Sequence, residues 1–204
     1  HKRFPAYASH AYKHGYLERP VVDEWMYILG QVVKKRWPNI ELKKHNFTID
    51  VSHDVDIPSH YGFKSWKAIF RIIVSSIIRR LDFRNAILVF KIKKNTKSEL
   101  DPNDPANTFN WIMDISNKYA LKSTFYFICG NTVSGMDADY EPGHPAIRSL
   151  MRLIHKRGHK IGLHPSYGTF QNPELIKIEA DTLRKIADEE GVIQNEWGGR
   201  MHYL

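Results

Sequence analysis

The chain has little cysteine and no long apolar run, and each shortage excludes a structural class. Cys129 is the single cysteine among 204 residues, so no disulfide can form within the chain. No stretch approaches the roughly 20 consecutive apolar residues that a membrane-spanning helix requires. Hydrophobic residues still make up 42% of the chain, which is enough to bury a core, so we predict a globular fold.

Negative charge is also scarce. The 30 lysine and arginine residues exceed the 22 acids, which gives a formal charge of +8. Between residues 64 and 97, Asp82 is the single acid, and the basic residues there are Lys64, Lys67, Arg71, Arg79, Arg80, Arg84, Lys91, Lys93, Lys94 and Lys97. We expect a solvated helix face, because no recognisable nucleic-acid module accompanies the segment. A nucleic-acid or membrane-surface module remains the alternative.

Apolar spacing predicts alternating helices and strands. Helical spacing is found at residues 20–37, 65–81, 107–120, 145–157 and 173–190. Buried strands are predicted at 47–56, 123–130 and 160–164, and a fourth strand or loop begins at 198. We expect the helix at 65–81 to pack on the core, and a membrane-surface helix is the alternative. The alternation predicts parallel βα units in an α/β fold, residues 47–204, preceded by an N-terminal helical extension, residues 1–46.

Two aspartates close the first predicted strand. Asp54 and Asp56 are two residues apart and therefore point to the same face of that strand. Two carboxylates on one face repel each other unless a cation or a shared proton relieves them. Because catalytic sites of α/β folds gather at the carboxyl ends of strands, we interpret the pair as part of a site.

A histidine, His164, ends the third predicted strand, at the same edge of the sheet. Carboxylate and imidazole together are ligands for a divalent metal such as Zn²⁺. We therefore predict a metal bound by Asp56 and His164, with Asp54 as the general base that accepts a proton from water. The alternative for His164 is a hydrogen-bonded loop histidine.

Four segments occur in a recognisable order: Ser52-His53-Asp54-Val55-Asp56, Lys122 to Phe127, Gly158 to Ser166, and Gly199-Arg200-Met201-His202-Tyr203. Together they resemble the polysaccharide deacetylase superfamily, carbohydrate esterase family 4, and in particular a bacterial branch found with capsule and exopolysaccharide genes. The resemblance covers roughly residues 20–204. It implies a distorted (β/α)7 barrel with a metal at its carboxyl-terminal mouth.

The resemblance also implies residue roles. Asp54 would be the catalytic base, Asp56 and His164 metal ligands, and Arg200 the cation that holds Asp54. Tyr203 would line the substrate groove. The family's second histidine ligand comes four residues after the first, but position 168 is glycine here.

Two other histidines could replace that missing ligand. We expect His202, because an extended segment would place it on the same face as Arg200. His60, in the loop after the first strand, is the alternative.

The resemblance implies a metal-dependent hydrolase that removes acetyl groups from N-acetylated sugars of a surface polysaccharide. Four strands do not close a barrel, so we expect the chain to be a fragment of a longer enzyme, weakly active or inactive alone, or to pair with another copy. The alternative function is a catalytically inactive carbohydrate-binding or scaffold domain of the same fold. The resemblance further implies a bacterial protein, either cytoplasmic or associated with the cell envelope.

Overall fold

The computed structural model describes residues 4–43 and 46–202, and the chain divides into two compact units, His1–Thr48 and Ile49–Leu204. The first unit contains a 3-10 turn, Ala6–Ala8, followed by helices α1 (His10–Lys13) and α2 (Val21–Arg36). Helix α2 begins directly after Pro20 and carries acids in its first turn and bases in its last, as the helix dipole favours. None of its residues is buried.

The second unit is built on a three-stranded parallel sheet, which confirms the predicted α/β class. Its strands are β1 (Val51–Val55), β2 (Ser123–Ile128) and β3 (Lys160–His164), in the order β1-β2-β3. Val55 lies opposite Phe127, and Ile128 lies opposite His164. The register therefore continues from His164 through Ile128 towards Asp56, at the carboxyl edge of the sheet.

One face of the sheet carries the hydrophobic core. Val55, Phe127 and Leu163 form one row of this face, and Phe125 and Ile161 form the next. These side chains pack against helices α5 (Phe109–Lys118), α6 (Pro145–Lys156) and α7 (Pro173–Glu189). The opposite face carries Asp54, Tyr126 and Gly162 in one row, because side chains alternate along each strand. The polar face is thus the one that bears the predicted site.

The predicted helices all form, and the structure adds two for which the sequence analysis predicted no range, the four-residue α1 and a longer helix in the second unit. Helix α3 (Trp66–Arg80) begins at the N-cap Ser65, whose hydroxyl accepts a hydrogen bond from the Ala68 N–H. The additional helix α4 (Phe83–Asn95) begins at Asp82, whose carboxylate accepts one from the Asn85 N–H. Leu81 joins the two helices in a left-handed conformation, with φ of 51°.

The expectation that the helix at 65–81 packs on the core is wrong for much of that helix. Ile69 and Ser76 are its buried residues. Phe70, Ile78 and Leu81 are 68–75% exposed. Helical periodicity shows that a helix has an apolar face, but it does not show that another element covers that face.

The fourth predicted strand is reduced to a single bridge. Gly199 pairs with Leu163 in parallel orientation. Leu163 donates its N–H to the Gly198 carbonyl at 3.0 Å, and Arg200 donates its N–H to the Leu163 carbonyl at 2.9 Å. The segment 198–202 therefore lies beside β3 without extending the sheet, and the parts of the chain that the structure describes form three strands and no closed barrel.

Candidate functional site

Three of the predicted metal ligands lie together at the carboxyl edge of the sheet. Asp56 Oδ1 lies 3.5 Å from His164 Nε2, and His202 Nδ1 lies 2.9 Å from the same His164 nitrogen. One ligand atom from each residue falls within 4.8 Å of the others. For bonds of 2.0–2.1 Å, the donor atoms of a tetrahedral zinc site are about 3.3 Å apart, so these separations suit a small divalent metal.

The hydrogen bonds of the two histidines orient their lone pairs towards each other. His164 Nδ1 is 2.5 Å from the Arg200 carbonyl oxygen, and His202 Nε2 is 2.8 Å from the Met136 carbonyl oxygen. A carbonyl can only accept, so both of these nitrogens carry a hydrogen. In neutral rings the lone pairs then lie on His164 Nε2 and His202 Nδ1, which face each other and require a proton or a metal ion between them.

Asp56 adds an unsatisfied carboxylate oxygen to this pair. Its Oδ1 atom is inaccessible to solvent and accepts no hydrogen bond from any described residue. A buried carboxylate oxygen without a partner is costly, and a cation coordinated there would remove the cost. His164, beside it, is 2% exposed, so its ring is held in a rigid part of the fold.

The ends of β1 and β2 beside Asp56 are fixed by Tyr140. Its hydroxyl donates to the Val55 carbonyl at 2.8 Å and accepts from the Ile128 N–H at 2.9 Å. Burial raises the pKa of Tyr140 well above its usual value, so the phenol remains a hydrogen-bond donor. This contact fixes the two strand ends that precede Asp56 and Cys129.

Asp54 lies on the same face as Asp56 but has a different partner. Its Oδ1 is 3.6 Å from Arg200 Nε, and Arg200 Nη1 donates to the Ser52 hydroxyl at 3.1 Å. The guanidinium thus lies between two side chains on the polar face of β1. The arrangement gives Asp54 a cationic neighbour and leaves Asp56 to the histidines, so the two carboxylates occupy distinct environments.

The loop after β2 supports His202 from the opposite side. Asp137 accepts hydrogen bonds from the N–H groups of Thr132, Val133 and Tyr167 and from the Thr132 hydroxyl, at 2.6–3.1 Å. Partial burial raises the pKa of Asp137, but these four hydrogen bonds outweigh it, and the pKa lies below its usual value. Asp137 thereby fixes the loop that presents the neighbouring Met136 carbonyl to His202.

Sequence reasoning did not identify this support. His202 contacts the main-chain carbonyl of Met136. Any residue type could supply that carbonyl, so Asp137 is the residue whose type could have indicated an ordered loop. Asp within a Ser/Gly-rich turn is the pattern that could have indicated a loop-organising carboxylate.

Position 168 cannot carry the family's second histidine without rearrangement. A Cβ atom on Gly168 would lie 2.8 Å from Thr132 Cβ and from Thr132 Oγ1. The Gly168 N–H also donates to that hydroxyl at 2.7 Å. Thr132 therefore occupies the space into which a side chain at 168 would extend.

A buried carboxylate holds the start of the same loop. Glu179 of α7, 4% exposed, accepts hydrogen bonds from the Ser166 N–H at 2.9 Å and from the Ser166 hydroxyl at 2.5 Å. Glu179 also lies against Gly130, where a Cβ atom would overlap the carboxylate. Hence Glu179 ties the loop after β3 to α7, close behind His164.

One predicted residue, His60, is not part of this arrangement, and another lies outside the described residues. His60 donates its main-chain N–H to Asp104 at 2.8 Å and stacks edge-on against Tyr61, and it does not belong to the metal-ligand cluster found among the described residues. Tyr203, predicted to line a substrate groove, lies outside the described residues.

Comparison with known proteins gives one partial match. Residues 1–38 match the model of a family of unknown function, DUF7033, which leaves the sheet and the candidate site uncovered. No curated protein and no solved structure matches the chain.

Proposed function

We propose that this protein is a metal-dependent hydrolase of the polysaccharide deacetylase type, which removes acetyl groups from N-acetylated sugars of a bacterial surface polysaccharide. The observation that carries the proposal is the convergence of Asp56, His164 and His202, with an unsatisfied buried oxygen on Asp56. The three-stranded parallel sheet is compatible with part of a distorted (β/α)7 barrel whose carboxyl-terminal mouth would hold this site.

The three side chains suit a divalent metal such as Zn²⁺, because imidazole nitrogens and carboxylate oxygens are common zinc ligands. When bound, such a metal would act as a Lewis acid and would lower the pKa of a coordinated water. The hydrogen bonds from His164 to the Arg200 carbonyl and from His202 to the Met136 carbonyl fix the ring orientation that coordination needs.

Asp54 is the side chain available to move a proton. It lies two residues before Asp56 on the polar face of the sheet, and its carboxylate is 3.6 Å from the Arg200 guanidinium. The Asp54 carboxylate, oriented by the guanidinium, could accept the proton of the attacking water. The water oxygen would bond to the acetyl carbon, the bond from that carbon to the sugar nitrogen would break, and the departing amine would take the proton that Asp54 had accepted, which leaves acetate and the free amine.

Acetate release from an N-acetylated chitooligosaccharide tests this proposal. We expect release by the full-length protein loaded with Zn²⁺, loss of release with a chelator, and a decrease of at least about 100-fold in Asp54→Asn, as is usual for removal of a general base. Asp50→Asn is the matched control, because Asp50 is exposed outside β1. Release that is indifferent to chelator and to Asp54→Asn would refute the proposal.

Metal binding is measured separately. Zinc affinity should fall by at least about tenfold in His202→Ala and should be unchanged in His60→Ala, the alternative that lies outside the cluster. Equal affinities in the two variants would remove His202 from the ligand set.

The second candidate is a carbohydrate-binding or scaffold domain without turnover. Gly168 favours it, because Thr132 fills the space of the family's second histidine. This candidate predicts oligosaccharide binding that is unaffected by chelator and accompanied by no acetate release.

A further inference from the structure

The hairpin of helices α3 and α4 exposes an apolar surface that no described part of the second unit covers. On α3, Trp66, Phe70 and Ile78 are 56–72% exposed, and their spacing places them along one side of the helix. Leu81, directly after α3, is 75% exposed. On α4, Phe83, Ile87 and Phe90 are 47–58% exposed and again share one side. We call these seven residues the apolar band.

The two halves of the band are continuous. The rings of Trp66 and Phe90 lie 6.1 Å apart, which brings the start of α3 beside the second half of α4. At the other end, Leu81 and Phe83 flank the short connection between the helices. The band therefore runs along the length of the hairpin, on the side away from Ile69 and Val89, which are fully buried.

Uncompensated positive charge borders the band. Lys67 and Arg71 on α3, and Arg84, Lys91 and Lys94 on α4, are exposed beside its apolar residues. Within the described ranges none of these five has an acidic partner, although Lys64 pairs with Asp139 at 3.8 Å. Asp82, the single acid of the segment, accepts a hydrogen bond from the main-chain N–H of Asn85.

We propose that this hairpin docks on the surface of an anionic lipid bilayer, with the apolar band inserted at the level of the headgroups and acyl chains. Aliphatic and aromatic side chains bordered by lysine and arginine are the pattern of helices that lie in a membrane interface. Trp66 and the phenylalanines suit that depth, and the basic residues complement phosphate headgroups. The inference does not depend on the proposed function.

Charge distinguishes this occupant from a second copy of the chain. Two hairpins that met through the band would bring their basic borders together and repel each other. A nucleic acid would satisfy the charges, but it would leave Ile78, Leu81 and Ile87 without an apolar environment. A bilayer satisfies both requirements, because it offers negative charge above an apolar layer.

Vesicle co-sedimentation of the full chain tests the proposal. We expect binding to vesicles of phosphatidylcholine with about one third phosphatidylglycerol, weak binding to phosphatidylcholine alone, and release as salt screens the headgroups. Each basic side chain neutralised near the surface should weaken binding about fivefold, which corresponds to ~1 kcal/mol. Arg71→Gln with Lys91→Gln should thus weaken binding by about 25-fold.

A matched control removes the same charge elsewhere. Lys34→Gln with Lys35→Gln changes two basic residues in the last turn of α2, in the other unit, and should leave binding unchanged. Phe70→Ser with Ile78→Ser should abolish binding without loss of fold, because both side chains are mostly exposed; a circular dichroism spectrum checks the fold.

Three outcomes would overturn the proposal. One is vesicle binding that is equal with and without anionic lipid. Another is binding that the α3 and α4 variants retain. The last is a concentration-dependent dimer in solution that Phe70→Ser with Ile78→Ser dissociates, since the band would then join two copies of the chain.

Discussion

Alanine at Gly162 would test how the segment 198–202 is held beside the sheet. Gly162 lies within β3, and a Cβ atom there would lie 2.5 Å from Tyr126 Cε1 and 2.8 Å from the Gly198 carbonyl oxygen. The ring and the main chain therefore approach β3 only because position 162 has no side chain. We expect the methyl group to displace the Gly198 carbonyl, and with it the segment that carries His202.

The expected loss of stability follows from the contacts at stake. Two main-chain hydrogen bonds join 198–200 to Leu163, and each contributes about 1 kcal/mol. Overpacking adds about 1–3 kcal/mol, while the reduced entropy of the unfolded chain offsets about 0.5–1 kcal/mol. We expect Gly162→Ala to lower the free energy of unfolding by about 3 kcal/mol, toward the upper end of typical single substitutions.

Displacement of the segment also predicts a change in metal binding. If His202 leaves the cluster, zinc affinity should fall at least about tenfold, as it does on losing a ligand or its support. Competition with a chromogenic chelator measures the affinity, and urea unfolding followed by circular dichroism measures the stability. Gly143→Ala is the matched control, because a Cβ atom there contacts nothing within 4 Å.

Two results would contradict this reasoning. Unfolding of Gly162→Ala at the same urea concentration as Gly143→Ala would show that the close approach of Gly198 is absent. A zinc affinity equal to that of the unsubstituted protein would show that the position of His202 does not depend on the main-chain contacts that hold residues 198–202 beside β3.

Three further predictions concern the surroundings of the site. Gly130→Ala should destabilise the fold by about 2 kcal/mol more than Gly143→Ala, because the new methyl group must push the Glu179 carboxylate off its hydrogen bonds; equal urea midpoints would refute this. Burial raises the pKa of Cys129 far above that of a free thiol, so iodoacetamide should label it only after denaturation, and rapid labelling of the folded protein would contradict the structure. The pKa of Asp137 is lower in the folded protein than in the unfolded chain, so the ionised carboxylate stabilises the fold above the unfolded pKa of about 3.9, and this stabilisation is lost as the pH falls through the folded pKa. The loss of unfolding free energy in Asp137→Asn, measured by urea unfolding, should therefore become smaller below about pH 4. A loss that does not change with pH would refute the role given to the Asp137 carboxylate.

The sequence predicted the strands and helices of the sheet layer because their periodicity coincides with their burial. β3 forms over the predicted residues 160–164, and α7 ends one residue before the predicted boundary. Helix α4 was missed because apolar residues lie on two of its sides: Val89 and Ile92 are buried, whereas Ile87 and Phe90 are exposed. Such a helix has no single apolar face for a pattern to reveal.

The candidate site was predictable where its residues follow strands. Asp56 follows β1 and His164 ends β3, the two strands that flank β2, so parallel pairing through β2 brings both residues to one edge of the sheet. The argument for His202 assumed an extended segment, but the structure shows a single bridge at Gly199 and then a turn. Its position beside His164 depends on the Met136 carbonyl, a tertiary contact that no local pattern encodes.

The unequal attachment of the three candidate ligands has a thermodynamic consequence. Asp56 and His164 belong to the sheet, whereas His202 belongs to a segment that two main-chain hydrogen bonds seat beside Leu163. Without a ligand, regions of different local stability unfold separately. A metal ion bound by residues from both regions would couple their unfolding. Linkage between the two equilibria is reciprocal. The factor by which docking of segment 198–202 raises the metal affinity therefore equals the factor by which bound metal lowers the equilibrium constant for opening of that segment. Amide hydrogen exchange at Arg200 would then report the occupancy of the site.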